Sequence, residues 1–358
     1  VTRRECRRWA PALGITLAAC VADFEPGDEH FYVTHEQVSM PVWVTGNWRS
    51  NKIIVHVHGG PGTTNMIYYQ KSSYQQIADD VGIAYFEQRG SGSTLGAHRE
   101  HFHIDQWVED LDVVMTVLED RYPEAEFVLM GHSFGGHLGP KFLLEGHQDR
   151  FRGWIEQDGE HDSSCRMWAY SRDRVLEVAA VQSAEDPKRA ALWDEARRFY
   201  EEDWRCDVDT NENNMTEEIG GIQVQLQHSL YVREAGGYDV DPERVLNGAE
   251  VSELLFRSQF DPLAVTKNSP YPMEGLFGVD LTPRLGEITL PVLMLWGIHD
   301  LITPYAQAEP GLAAYGAPAD QKRLVAFDDS GHNPWAEEPE KFYEEVRGFL
   351  GEVWPDLP

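Results

Sequence analysis

The chain of 358 residues carries 60 acidic against 30 basic side chains, a formal net charge of −30, with 42% hydrophobic and 11% aromatic residues. That is a globular composition, long enough for one core of roughly 250 residues with a sizeable insertion. So acidic a surface repels phosphate backbones and anionic headgroups and excludes nucleic acid as a partner; its plain consequence is solubility, and its sharper one an acidic cleft that attracts cationic substrates.

In chain order, residues 1–20 place Arg3, Arg4, Arg7 and Arg8 before a short apolar run and then Leu17-Ala18-Ala19-Cys20. The run is too short to span a bilayer as a helix, which needs about 20 residues. The order of charge, apolar run and small residues before cysteine resembles a bacterial lipoprotein signal peptide, which implies export and attachment to the membrane through a lipidated Cys20; the alternative is a frayed terminus of a cytoplasmic protein. Without Cys6 and Cys20 the remaining cysteines are Cys165 and Cys206. In an oxidising compartment such a pair forms a disulfide, in a cytosol two free thiols, and their spacing fits no common zinc pattern.

Two strand-like runs lie within residues 30–47, followed by buried strands in "KIIVHVHGG" and "GIAYFEQRG". Ile104, Trp107, Val108, Leu111, Val114, Met115 and Leu118 share one helical face, with Asp105 as the expected cap and Pro123 past the end. The strand "EFVLMGHS" runs into a turn, the helical "FGGHLGPKFLLEGH" follows, and "FRGWIEQDG" is a further strand. The rhythm resumes with the strand "LPVLMLWGIHD", a helix within 305–316, the last strand "KRLVAFDDSGH" and a terminal helix with Phe342, Val346 and Phe349 or Leu350 inward. Such alternation predicts a parallel α/β sheet with helices on both faces. Residues 21–160 and 281–358 form the predicted core, and the helix-like segments of 161–280 a mostly helical cap inserted between two sheet strands.

The chemistry is carried by strand ends. Gly131-His132-Ser133-Phe134-Gly135 is G-x-S-x-G between a strand and a helix, the context that lifts a serine above the sheet's carboxyl edge. A serine hydroxyl needs a base and the base an orienting acid. Asp300 and His332 each follow a strand, in the order Ser, Asp, His. Singly, Asp300 reads as a loop cap and His332 as a surface imidazole; jointly they predict a triad with Ser133 as nucleophile, His332 as base and Asp300 as orienter. Asp158 is the second choice of acid, and His132 and His58 read as structural hydrogen-bonding residues. The loop His58-Gly59-Gly60-Pro61-Gly62 ends a core strand with almost no side chains. Its glycines let backbone approach a substrate oxygen, and the expected oxyanion donors are the N–H groups of Gly60 and Phe134, since Pro61 has none.

The loop "HGGPG", then Gln88-Arg89-Gly90-Ser91-Gly92-Ser93, the elbow "GHSFGG" and Ser330-Gly331-His332 together resemble the proline iminopeptidase group of the α/β-hydrolase superfamily. The motifs span roughly residues 50–160 and 280–350. The resemblance implies an α/β-hydrolase fold and a serine hydrolase, with no cofactor and no metal, releasing N-terminal proline or similar residues from short peptides or small amides through an acyl-enzyme. An esterase or lactonase with the same machinery is the alternative. Glu87 stands where the family usually has Asp, and Phe134 where Trp is common. His58, Gly59, Pro61 and Arg89 are expected to shape the loop, Arg89 by tying it to carbonyls or a carboxylate. The family binds the substrate's α-ammonium with acids of the cap; here Glu201, Glu202 and Asp203 read as a solvated helix face.

Overall fold

The computed structural model describes residues 28–357 except 70, 97–100, 186, 207–225 and 227–277. Cys6, Cys20 and the signal-like segment lie outside the described residues, as do the segments 209–221 and 245–260. No helix among the described residues is long and apolar enough to cross a membrane.

Eight strands form one sheet: β1 (Glu29–His35), β2 (Val38–Gly46), β3 (Lys52–Val57), β4 (Gly82–Phe86), β5 (Glu126–His132), β6 (Phe151–Gln157), β7 (Val292–Gly297) and β8 (Lys322–Phe327). Their order is β1-β2-β4-β3-β5-β6-β7-β8. The β1–β2 and β2–β4 pairs are antiparallel and all others parallel, so the predicted α/β sheet is borne out. Each central strand is buried on both faces and sorts its side chains with period two. Ile53 and Val55 join one apolar core and Ile54 the other; in β7, Val292, Met294 and Trp296 alternate with Leu293 and Leu295.

Helix α1 (Ser72–Asp80) and helix α7 (Pro339–Val353) cover one face; α2 (Ile104–Arg121), α3 (Gly135–Phe142) and α6 (Ala308–Ala314) cover the other. The expected face of α2 is buried from Ile104 to Leu118, and Phe342, Val346, Phe349 and Leu350 of α7 all point inward. One expectation is corrected. The α2 cap is His103, whose side chain accepts the Gln106 N–H at 3.2 Å, while Asp105 sits inside the first turn. An imidazole acceptor fills a role that composition assigns to the short oxygen side chains.

The insertion leaves and rejoins the core as a paired neck. Ser163 N–H donates to the Val279 carbonyl at 2.8 Å and Leu281 N–H to that of His161 at 3.0 Å. Beyond it, α4 (Cys165–Glu185) and α5 (Ala190–Arg198) pack through Val175, Ala179, Trp193 and Ala196, and Leu301 of the core enters this cluster. Cys165 and Cys206 are joined as a disulfide with Cα atoms 5.6 Å apart, tying the start of α4 to the chain 41 residues on.

Chain order places the functional edge. The chain runs from β3 outward to β4 and then crosses back to β5 on the other side of β3. The sheet therefore changes direction between β3 and β5, and a crevice opens outside the carboxyl ends of such a pair. Val57 lies opposite Gly131 in register, so the β3 loop and the β5 turn emerge level with each other.

Candidate active site

Ser133 leaves β5 with φ +54, in the left-handed region where a residue other than glycine is strained. The turn is held from both sides: Ser133 N–H donates to the Gln157 carbonyl at 3.0 Å, and the Ser133 carbonyl accepts from Gly136 N–H at 2.7 Å and Glu160 N–H at 3.0 Å. Small residues make this turn fit. A Cβ on Gly135 would stand 2.2 Å from the Val57 carbonyl oxygen, and one on Gly136 2.3 Å from the Gly159 Cα.

The loop after β3 arrives beside it. A Cβ on Gly59 would lie 3.1 Å from the Ser133 Cβ, a measure of how closely that backbone approaches the serine. His58 is fully buried, its Nδ1–H donates to the Gly59 carbonyl at 2.7 Å and its Nε2 accepts the Gln88 N–H at 3.2 Å. Burial pushes its pKa down to about 4, so it stays neutral with both nitrogens in use and has no lone pair left for a serine proton. Gln88 Nε2 closes the bracket on the His58 carbonyl at 2.8 Å. Pro61 is buried and Gly60 exposed. Among the described residues no hydrogen bond engages the N–H of Gly60 or of Phe134, and Gly59 N–H is already committed to the Tyr68 hydroxyl at 3.2 Å.

Gly60 has φ +124, and a Cβ there would lie 2.7 Å from the Gly62 nitrogen. Gly60→Ala is therefore expected to turn this N–H away and to lower kcat on the order of 10²-fold with a smaller change in KM, as measured by steady-state kinetics. An unchanged kcat would remove Gly60 from the oxyanion site.

Asp300 follows β7 and His332 follows β8. Asp300 is fully buried, and its Oδ1 accepts the N–H groups of Ile302 at 2.7 Å and Thr303 at 3.1 Å. Its Oδ2 accepts the His332 Nδ1–H at 2.7 Å. This leaves Nε2 of His332 as the acceptor, as a general base requires. The His332 loop is braced by Glu337, whose carboxylate accepts from the N–H groups of Gly331 at 2.7 Å and of Asn333, and by Glu338, which accepts the Ser330 hydroxyl at 2.6 Å. Burial raises the Glu337 pKa to about 7.

A buried relay that sequence reasoning did not find links the two halves. Tyr68 OH takes the Gly59 N–H and donates to His132 Nδ1 at 2.7 Å; His132 Nε2–H donates to the His332 carbonyl at 2.7 Å. His132 is thus structural, its pKa driven well below the ordinary range by burial and by the charge of His332. The rings of His132 and His332 lie 4.8 Å apart, so His332 packs against the residue that precedes Ser133. Among the described residues no hydrogen bond joins the Ser133 hydroxyl to His332, and such bonds often tighten only with substrate bound.

Arg89 is buried and bidentate on Asp110, with Nε and Nη2 each 2.7 Å from a carboxylate oxygen, so its guanidinium holds the loop after β4. Glu87 is buried; its Oε1 accepts the Thr64 hydroxyl at 2.5 Å, and Gly92 leaves space where a Cβ would fall 2.2 Å from Oε2. Burial pushes the Glu87 pKa up to about 8. A raised carboxyl pKa means that the folded state holds a proton the unfolded state releases above about pH 4.5, so stability is lost as pH rises through 8. Glu87→Gln should remove that loss: its thermal midpoint should rise relative to the parent between pH 5 and 9, by on the order of several kcal/mol of stability. A constant difference would contradict it. Glu201, Glu202 and Asp203 are exposed at the end of α5.

Asp158, Asp300 and His332 bring oxygen and nitrogen atoms within 4.8 Å of one another, but the Asp300 oxygens already accept N–H and O–H donors, which makes the group an acid–base cluster. Asp158 does not contact His332 as Asp300 does: its Oδ1 accepts the Gly297 N–H at 2.9 Å.

Residues 54–345 match the sequence model of the alpha/beta hydrolase family. A proline iminopeptidase of Lactobacillus acidophilus is 24% identical over 276 residues, covering 76% of this chain and 81% of that one. Among solved structures, the proline iminopeptidase of Mycobacterium smegmatis aligns with a TM-score of 0.63 at 20% identity, over 91% of this chain and 98% of its own. Est816, described as an N-acyl homoserine lactone degrading enzyme, aligns with a TM-score of 0.57 at 19% identity, over 89% of this chain and all of its own. With the family model covering most of its length and the same sheet beneath the same turn, the chain belongs to the alpha/beta hydrolase family.

Proposed function

We propose that the protein is a serine hydrolase in which Ser133, His332 and Asp300 form a triad working through an acyl-enzyme, and that its substrates are short peptides or small amides with a free amino terminus. The observation that carries the reading is the strained Ser133 turn, with the backbone of the β3 loop close against the serine and His132, the residue before it, packed on the His332 of an Asp300–His332 pair at 2.7 Å. His332 Nε2 takes the Ser133 proton as Oγ attacks the carbonyl carbon. The oxyanion settles on the N–H groups of Gly60 and Phe134, and His332 returns the proton to the leaving amine. Water, activated by the same imidazole, then hydrolyses the ester. The aminopeptidase preference rests on the "HGGPG", "EQRGSGS" and "SGH" segments and on likeness to proline iminopeptidases at low identity.

The second reading is an esterase or lactonase. It is favoured by the exposure of Glu201, Glu202 and Asp203, which makes these three acids a solvated turn and no ammonium clamp. A panel of aminoacyl arylamides and aryl esters, with Ser133→Ala as the blank, separates the two. Turnover that requires a free α-amine supports the aminopeptidase; turnover of acyl esters without one, and none of prolyl arylamide, overturns it. The Cys165–Cys206 disulfide supports an exported protein, since such bonds persist in oxidising compartments.

A further inference from the structure

Asp158 is a buried acid beside the proposed triad that the reaction does not use. It follows β6 with φ +39 and is fully buried. Its N–H donates to the Leu295 carbonyl at 2.9 Å, its Oδ1 accepts from Gly297 and its carbonyl accepts the Thr303 hydroxyl at 2.8 Å. These bonds fasten the ends of β6 and β7 together and fix the carboxyl group in place. Among the described residues no donor reaches its buried Oδ2, and the Asp158 carboxyl group lies beside that of Asp300. Thr303 has a single hydroxyl proton, shared between the Asp158 carbonyl at 2.8 Å and Asp300 Oδ2 at 2.7 Å. When that proton serves the Asp158 carbonyl, Asp300 Oδ2 is left with His332 and an open lone pair.

Two carboxylates this close in a dry site do not both ionise. Asp300 holds its charge against two backbone N–H groups and an imidazole N–H; Asp158 has one backbone N–H. We propose that Asp158 carries the proton and donates it through Oδ2–H to the Asp300 carboxylate, acting as a positioning residue that holds Asp300 in line with His332. The proposal rests on the triad reading. The surroundings favour the protonated form: burial comes first and the charge of Asp300 second in holding the Asp158 pKa well above the carboxylate range, Glu337 adds to it, the Gly297 N–H alone works against it, and Tyr68 and Tyr74 contribute neutral hydroxyls. Among the described residues, no Lys or Arg acts on the Asp158 carboxyl group.

The test compares Asp158→Asn and Asp158→Ala with the parent by pH–rate profile, thermal midpoint and infrared difference spectroscopy. Asparagine keeps an N–H donor toward Asp300 and a carbonyl for Gly297. It should retain kcat/KM within about threefold at pH 7, whereas folded Asp158→Ala should lose about tenfold, the worth of one hydrogen bond to a charged group. The parent-minus-Asn spectrum at pH 7 should show the C=O stretch of a protonated carboxylic acid, a signal that depends on no view of the mechanism. A carboxylate band instead, or an asparagine variant as damaged as Asp300→Asn, overturns the proposal. So does alanine with unchanged kcat/KM. If a fluorophosphonate fails to label Ser133 in the parent, the triad reading fails, while the infrared result still decides the proton on Asp158.

Discussion

Ser133→Ala should lower kcat/KM on the order of 10⁶-fold on any substrate the parent turns over, without a comparable loss of thermal stability. The size follows from position. Ser133 is the residue whose backbone is bent to φ +54, and the bend survives because the hydrogen bonds of its own backbone and the close packing at Gly135 and Gly136 enforce it. Alanine keeps the turn and removes only the oxygen. The side chain itself packs little, so folding should be nearly indifferent to the change. Residual turnover above background would come from the oxyanion donors and substrate binding, which alanine leaves intact. Loss of stability together with activity would instead mark Ser133 as a structural residue of the elbow. Circular dichroism melting beside steady-state kinetics separates the two outcomes.

Asp300→Asn should cost on the order of 10⁴-fold in kcat. The carbonyl oxygen of asparagine would continue to accept from Ile302 and Thr303, because those two backbone N–H groups fix which atom faces them. The amide nitrogen is then left opposite His332 Nδ1, where two donors meet. The imidazole answers by moving its proton to Nε2, which can no longer accept from serine. Asp158 does not rescue the variant, since its Oδ1 is tied to Gly297 and its backbone is hooked to β7. Activity of Asp300→Asn within tenfold of the parent would transfer the orienting role to Asp158 and contradict the assignment. The pH–rate profile provides the check on cause: a tautomer fault lowers the plateau, whereas a displaced base also moves the ionisation that limits it.

The sheet was readable from the sequence because a doubly covered parallel strand has an unusual signature, a short run that is mostly apolar on both faces and stops at Gly, Pro or a polar residue. "KIIVHV" and "LMLWG" both carry it and both lie in the sheet. The candidate site residues could be picked out one step later, because Ser133, Asp300 and His332 each sit where a strand ends and a parallel sheet sends all such ends to one edge. What was not readable came from pairings distant in the chain. The relay of Tyr68, His132 and the His332 carbonyl joins residues 64 and 200 positions apart, and nothing in the spacing announces it. The His103 cap was hidden because a histidine seldom plays that part, and Asp105, a common capping type, stood two residues away. Asp158 was visible as an acid after β6, yet its partners, Gly297 and Thr303, belong to a segment some 140 residues on.

The disulfide shows the same division. Two cysteines in one sequence are countable, but whether the sulfurs meet depends on where α4 and the chain at residue 206 come to lie. The cap acids mark the limit on substrate. Glu201, Glu202 and Asp203 form an attractive cluster in the sequence, and in the structure they are on an exposed turn. Substrate class is set by the lining of a cleft whose cap side is the part of an α/β hydrolase least constrained by the sheet, so the shared machinery leaves it open.

The central claim is that Ser133 is an activated nucleophile, and the most direct test is to treat the folded protein with a fluorophosphonate and locate the adduct by mass spectrometry. The account predicts a single phosphonyl group on the peptide containing Ser133, absent in Ser133→Ala and much slower to form in His332→Ala. No adduct on the folded parent, or an adduct that persists undiminished in Ser133→Ala, would contradict it.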